Sequence, residues 1–370
     1  MSTTASLKAH KREIIARYVR PDNRKAFAQI CTTLLPLAAL WWGIAQSVSV
    51  SYWLTAVLVL LLVLFMLRSF VLMHECGHGN LFRGARLNRA VGFVFGVVTG
   101  MPQFVWSQHH QYHHANNGNW ERYTGPLAII STDEFAAMSP AQQRQYCRAR
   151  SIWLAPLAGF VYLLLNPRRT CLRGMLALFR HARGRRSAQP DLSWWASGEG
   201  FCMPCGASAQ EFRHMLANNL VWLVLWLVMG WLVGPALFLV CAVLSISIAG
   251  GIGIMLFTVQ HNFEHAYASG DEGWDYDQAA LEGTSFLVLP GWLNWFTANI
   301  AYHHIHHMSA RIPNYCLVAC HKEYEAMFVN VPRIRLSEVP AALRCILWDK
   351  QQRRITSVAA FQQQSVLAAC

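Results

Sequence analysis

Residues 26–67 and 214–263 contain no Asp, Glu, Lys or Arg. A helix of about 20 apolar residues crosses a hydrocarbon core of about 30 Å, so each charge-free stretch has room for two spans. Breaks fall near the middle of both. Ser47, Ser49 and Ser51 separate residues 34–45 from 53–66, and Gly234-Pro235 separates 220–233 from 237–257. The pattern predicts an all-α integral membrane protein with four transmembrane helices in two hairpins. Composition agrees, since 14% of the 370 residues are charged, against about 25% in soluble domains.

The net charge of +12 is concentrated beside the apolar stretches. Residues 1–25 carry seven Lys or Arg against Glu13 and Asp22, and residues 168–186 carry seven Arg and no acid. Neither hairpin turn has a charge. This argues against a nucleic-acid partner and, by the positive-inside rule, sets an orientation. One membrane domain is expected over 1–370. Its cytoplasmic parts are the N-terminal segment 1–25, the region 74–213 and a cap over 261–370; its membrane hairpins are 26–73 and 214–260. The N-terminus lacks a signal peptide's short apolar core and cleavage site, so the first span is expected to be retained.

Two shorter apolar segments, 91–105 and 152–165, are interrupted by Gly or Pro and read as interfacial or re-entrant. Arg168 and Arg169, after Pro167, are expected to hold the second at the lipid headgroups. From Arg333 onward, apolar and charged residues alternate, which we read as part of a helical cap. The Cys202–Cys205 pair has no matching second pair for a zinc ribbon, so reduced thiols are expected on a cytoplasmic side.

The chemistry lies in the histidines. Of sixteen, twelve form four groups: His74 and His78; His109, His110, His113 and His114; His261 and His265; and His303, His304, His306 and His307. Positions 74/78, 110/114 and 303/307 are four apart, one turn along a helix face, and 113 and 306 fall on nearly the same faces. Imidazole suits Zn, Cu, Fe and Ni. A single tetrahedral zinc would take four ligands and leave eight histidines idle. Two metals with four or five imidazoles each would use nearly all of them. The two spans preceding His74 and His261 both run inward, which brings all four groups to the cytoplasmic face.

The segments His74-Glu75-Cys76-Gly77-His78, His110-Gln111-Tyr112-His113-His114 and His303-His304-Ile305-His306-His307 resemble the three histidine boxes of the membrane fatty acid desaturases. Residues 77–82, 99–102 and 311–315 are similar to the bacterial acyl-lipid branch, and the resemblance runs from about Arg68 to Asp349. It implies an oxygen-dependent oxidoreductase of acyl chains with two non-haem iron ions and O₂ as co-substrate. It further implies a bacterial inner membrane and a cytoplasmic active site. Carried over by position, the ligands are His74, His78, His110, His113, His114, His303, His306 and His307, with His261 as the family's extra ligand. His109 and His304 become neighbours of the ligands. Glu75, Glu264 and Asn299 are candidates to hold a ligand's other ring nitrogen. The family usually has an acid where this chain has His265, which leaves His265 open as an acceptor or an alternative ligand. No haem, flavin or rubredoxin-like segment is visible, so the resemblance implies a separate electron donor such as a ferredoxin or a cytochrome with its reductase. The basic face could steer an acidic donor, or simply set topology and touch membrane lipid.

Other readings use the same residues. His74-Glu75-Cys76-Gly77-His78 also fits the HExxH of a zinc metalloprotease, which would leave both later clusters unused. A metal transporter or haem carrier would want histidines within facing spans. A fatty acid hydroxylase, an acetylenase or an alkene-forming decarboxylase would share the scaffold.

Overall fold

Asp22 starts the first span by accepting the backbone N–H of Arg24 at 2.8 Å, the arrangement that satisfies a helix's free amino-terminal donors. The structure, a computed structural model, describes residues 3–123, 128–203 and 208–368. Helix α1 (Thr3–Tyr18) precedes the spans α2 (Asn23–Ser47) and α3 (Tyr52–His78), which form the first hairpin. The second hairpin pairs Ala209–Val233 with Pro235–His261. Among the described residues, these four helices are long and apolar enough to cross a membrane. At 27 residues, α3 is about 40 Å long and outruns the hydrocarbon core. The first histidine box is therefore the last turn of the span itself. The span Ala209–Val233 buries Phe212, Met215 and Asn218 and exposes Leu220, Leu227 and Trp231, the apolar surface a bilayer would cover.

Both interrupted segments belong to bent helix pairs. Helix α4 (Ala85–Thr99) and helix α5 (Gln103–Ala115) meet at 101°. Gly100 makes the turn with φ +79°, and Pro102 disfavours a helical conformation at Met101 before it. The helix pair Pro140–Ala149 and Ile152–Ala188 bends by 53°. Gly159, within that second segment, lies against the fourth span so closely that a Cβ there would sit 2.4 Å from the Gly251 nitrogen. Small residues permit such backbone contact between membrane helices.

Arg168 is half-buried; its guanidinium stacks 3.9 Å from the Trp222 ring and donates to the carbonyls of Gly100 and Leu163, the latter at 3.0 Å. Another arginine, Arg68 in α3, is buried; it donates from Nε to Thr33 Oγ1 at 2.9 Å and stacks 3.9 Å from the Trp295 ring. It joins the first hairpin to the segment before the third histidine box.

The cap is mainly helical, but its tail is not helical throughout. Strand β1 (Ile130–Ser131) joins β4 (Leu347–Asp349) and β5 (Arg354–Thr356) in the order β1-β4-β5; β2 (Phe286–Val288) pairs in parallel with β3 (Arg333–Arg335). Arg-Ile-Arg and Arg-Ile-Thr alternate with period two, the pattern of a half-buried strand. The expected helical tail is corrected accordingly. Cys202 is exposed, and Cys205 lies outside the described residues.

Candidate metal centre

Helices α3 and α5, the end of the fourth span and the short helix His303–Met308 bring nine histidines together. One group comprises His74, His78, His110, His114 and His306, and a second His113, His261 and His307; within each, one ligand atom per residue lies within 4.8 Å of all the others. His303 adjoins the second group, with Nε2 2.9 Å from that of His261. The His114 and His307 rings stack at 4.2 Å between the groups. Eight of the nine are buried and His78 is partly so.

The nitrogen contacts show what these groups are suited to hold. His114 Nε2 lies 3.0 Å from both His110 Nε2 and His306 Nε2. His261 Nε2 lies 3.1 Å from His113 Nε2 as well as 2.9 Å from His303 Nε2. A ring nitrogen carries either one proton or one lone pair, so it can satisfy only one of two such neighbours by hydrogen bonding. Both ring nitrogens of His307 are buried without a partner. A cation facing the lone pairs resolves these conflicts together. Two nitrogens at right angles on a metal about 2.1 Å away are about 3.0 Å apart, and tetrahedral ligands about 3.4 Å. The closest nitrogen pairs, at 2.9–3.2 Å, fall in the range that neighbouring ligands of one metal occupy. Burial also drives the pKa values of His303, His306 and His307 well below the usual imidazole value, which favours the neutral form that metal binding requires.

Surrounding residues divide into those that touch this centre and those that do not. Glu75 Oε1 accepts from His74 Nδ1 at 3.0 Å, and its other oxygen accepts the Asn314 backbone N–H, also at 3.0 Å. Asn299 is one contact further away, donating to the Asn314 carbonyl. Glu264 turns aside to Thr356 and Cys345. His265 is exposed at φ +66°, with Nδ1 2.7 Å from Arg354 Nη1; it belongs to neither histidine group. His304 is buried on the far side of its helix against His321, 3.0 Å from Nε2 to Nδ1. His109 is exposed, at the mouth of a cavity.

That cavity, of about 340 Å³, runs from His110 and His113 between the spans. Phe70, Trp106 and Phe257 form its walls nearest the histidines. The Phe257 ring lies 6.0–6.1 Å from those of His74, His110 and His303. Trp106 stacks on His110 at 4.5 Å and donates to Tyr162 Oη at 2.9 Å. These residues carried no signal of their own in the sequence, but the spacing holds one. Phe70, Trp106 and Phe257 each stand four residues before a histidine (His74, His110 and His261), one turn deeper on the same face.

α1 covers the other side. Leu7 and Ile14 bury against the third-box helix and its neighbours, while Lys11 pairs with Asp277 at 2.5 Å. The adjacent Tyr276 donates its hydroxyl to the His307 carbonyl at 2.8 Å.

A polyhistidine centre able to hold two metals, at the end of membrane-length hairpins and beside an apolar cavity, marks a multi-pass membrane protein with a metal-binding site next to an apolar pocket. Residues 51–335 match the fatty acid desaturase family. The chain is 32% identical to a fatty acid desaturase of Bacillus subtilis over 349 residues, covering 94% of this chain and 90% of that one. A Synechocystis sn-1 acyl-lipid omega-3 desaturase (ferredoxin) is 26% identical, over 67% of this chain and 61% of its own length. This chain belongs to the fatty acid desaturase family, and is an oxidoreductase of fatty acyl chains with a histidine-rich metal site.

Proposed function

We propose that the chain introduces a double bond into a fatty acyl chain, whether carried on lipid, carrier protein or coenzyme A or as the free acid, using O₂ and two iron ions held by nine histidines. His74, His78, His110, His114 and His306 hold one iron, and His113, His261, His303 and His307 the other. The observation that carries this reading is the convergence of two buried histidine groups on one end of an apolar cavity. With iron bound, the site supplies an oxidant drawn from O₂. Two C–H bonds of adjacent methylenes break and a C=C bond forms. O₂ takes up those two hydrogens with two further electrons and two protons and leaves as two waters.

The chain's own residues bind and orient. Phe70, Trp106 and Phe257 exclude water and hold the methylenes beside the histidines, where an error of about 1 Å can cost a hundredfold in rate. Glu75 fixes the His74 tautomer by accepting its Nδ1 proton. The electrons come from a separate acidic carrier of the ferredoxin or cytochrome class, drawn to the cationic face of a bacterial inner membrane's cytoplasmic side. The ferredoxin in the name of the Synechocystis relative supports that class.

Mass spectrometry of total lipids and volatiles from cells expressing the chain tests the reaction. Newly unsaturated acyl chains are expected, dependent on O₂ and reductant. Hydroxy-acyl products alone, or a terminal alkene one carbon shorter alone, would move the assignment to a hydroxylase or a decarboxylase.

A further inference from the structure

We infer that Gly253 sets how much acyl chain fits beyond the metal centre, and so selects substrates by length; the inference rests on the desaturase reading above. The cavity has a polar, exposed mouth at His109, Asn166 and Thr170 and a buried apolar interior reaching Ile246. A polar acyl head therefore stays at the mouth and the methyl end enters the interior. On the fourth span, Phe257 is one turn and Gly253 two turns below His261, which places Gly253 about 12 Å along the helix from that histidine. On α3, Phe70 and Met66 descend from His74 in the same way, and all four residues line the cavity. Met66 fills its position. Gly253 does not.

The glycines of the fourth span serve different purposes. A Cβ on Gly250 would press to 2.9 Å on both the Gly159 Cα and a Leu163 methyl, and one on Gly251 would meet the Ala155 backbone at 2.7 Å. Those two glycines are needed for helix packing. A Cβ on Gly253 would meet only Leu67 Cδ1, at 3.9 Å. Gly253 is buried and lines the cavity, so packing against neighbours does not account for the missing side chain. Alanine would also favour a helix interior more than glycine does. Its absence leaves open the passage from the histidine end to the part of the cavity lined by Ala249 and Ile246.

The test compares wild type, Gly253→Ala and Gly253→Leu in cells supplied with saturated acyl chains of graded length. The readouts are chain-resolved lipid mass spectrometry and the metal content of the purified proteins. Gly253→Leu is expected to lower desaturation of the longest chains about tenfold or more relative to the shortest, the scale on which a hydrophobic pocket discriminates by a methylene or more. Gly253→Ala should shift the profile in the same direction by less, and both should keep wild-type metal content. An unchanged length profile in both variants, or an equal loss at every length with metal retained, overturns the inference. Should Gly253→Leu lose metal, the Gly253→Ala profile decides: a shift toward shorter chains supports the inference and an unchanged profile overturns it. Absence of unsaturated product from wild type itself would be a failure of the desaturase reading instead.

Discussion

Glu75 accepts the Nδ1 proton of His74 at 3.0 Å. With the proton fixed there, the His74 Nε2 lone pair faces the five-histidine group, while the second carboxylate oxygen ties α3 to the Asn314 backbone. Loss of such a partner typically costs 10–100-fold in metal affinity or activity. Glu75→Gln is expected to weaken metal retention by about that factor, read as the chelator concentration that strips half the metal. Retention equal to wild type would show that the contact does not hold the ligand.

His261 and His265 are four residues apart, yet the helix ends at His261. His265 sits beyond it in a left-handed conformation, paired with Arg354. We expect His261→Ala to lose metal and activity, whereas His265→Asp keeps both, because an acid can still meet Arg354. The reverse pattern would mean that the fourth histidine group is built from the other residue.

That pair illustrates what the sequence could and could not convey. Periodicity of four and the absence of charge made the hairpins and the three boxes readable, since both follow from helix geometry and bilayer solvation. Spacing could not reveal that the helix stops at His261, nor that the His265 N–H is taken by the Ile355 carbonyl, ninety residues away. Spacing is equally silent on Glu264, whose carboxylate meets Thr356 and Cys345, both remote in sequence. Glu75 was legible because its partner is the adjacent residue. The strands in the tail were masked by their length of three residues, too short for alternation to stand out from a helical pattern.

Orientation in the membrane is open to a direct test. Reporters placed after Arg186 and at the carboxyl terminus are expected to report the cytoplasm, and one inserted at Ser49 the opposite side. The arginines of 168–186 then remain on the face where cations are retained. If the Ser49 and Arg186 positions report the same side, the two-hairpin orientation is wrong.

The central claim is that the two buried histidine groups hold two irons. Elemental analysis of chelator-free protein, paired with lipid analysis of the same cells, tests it most directly. The account predicts about two iron atoms per chain, falling sharply in His306→Ala and His307→Ala together with unsaturated product, because each variant removes a ligand from a different group. One zinc per chain, with no iron and with desaturation intact, would contradict it.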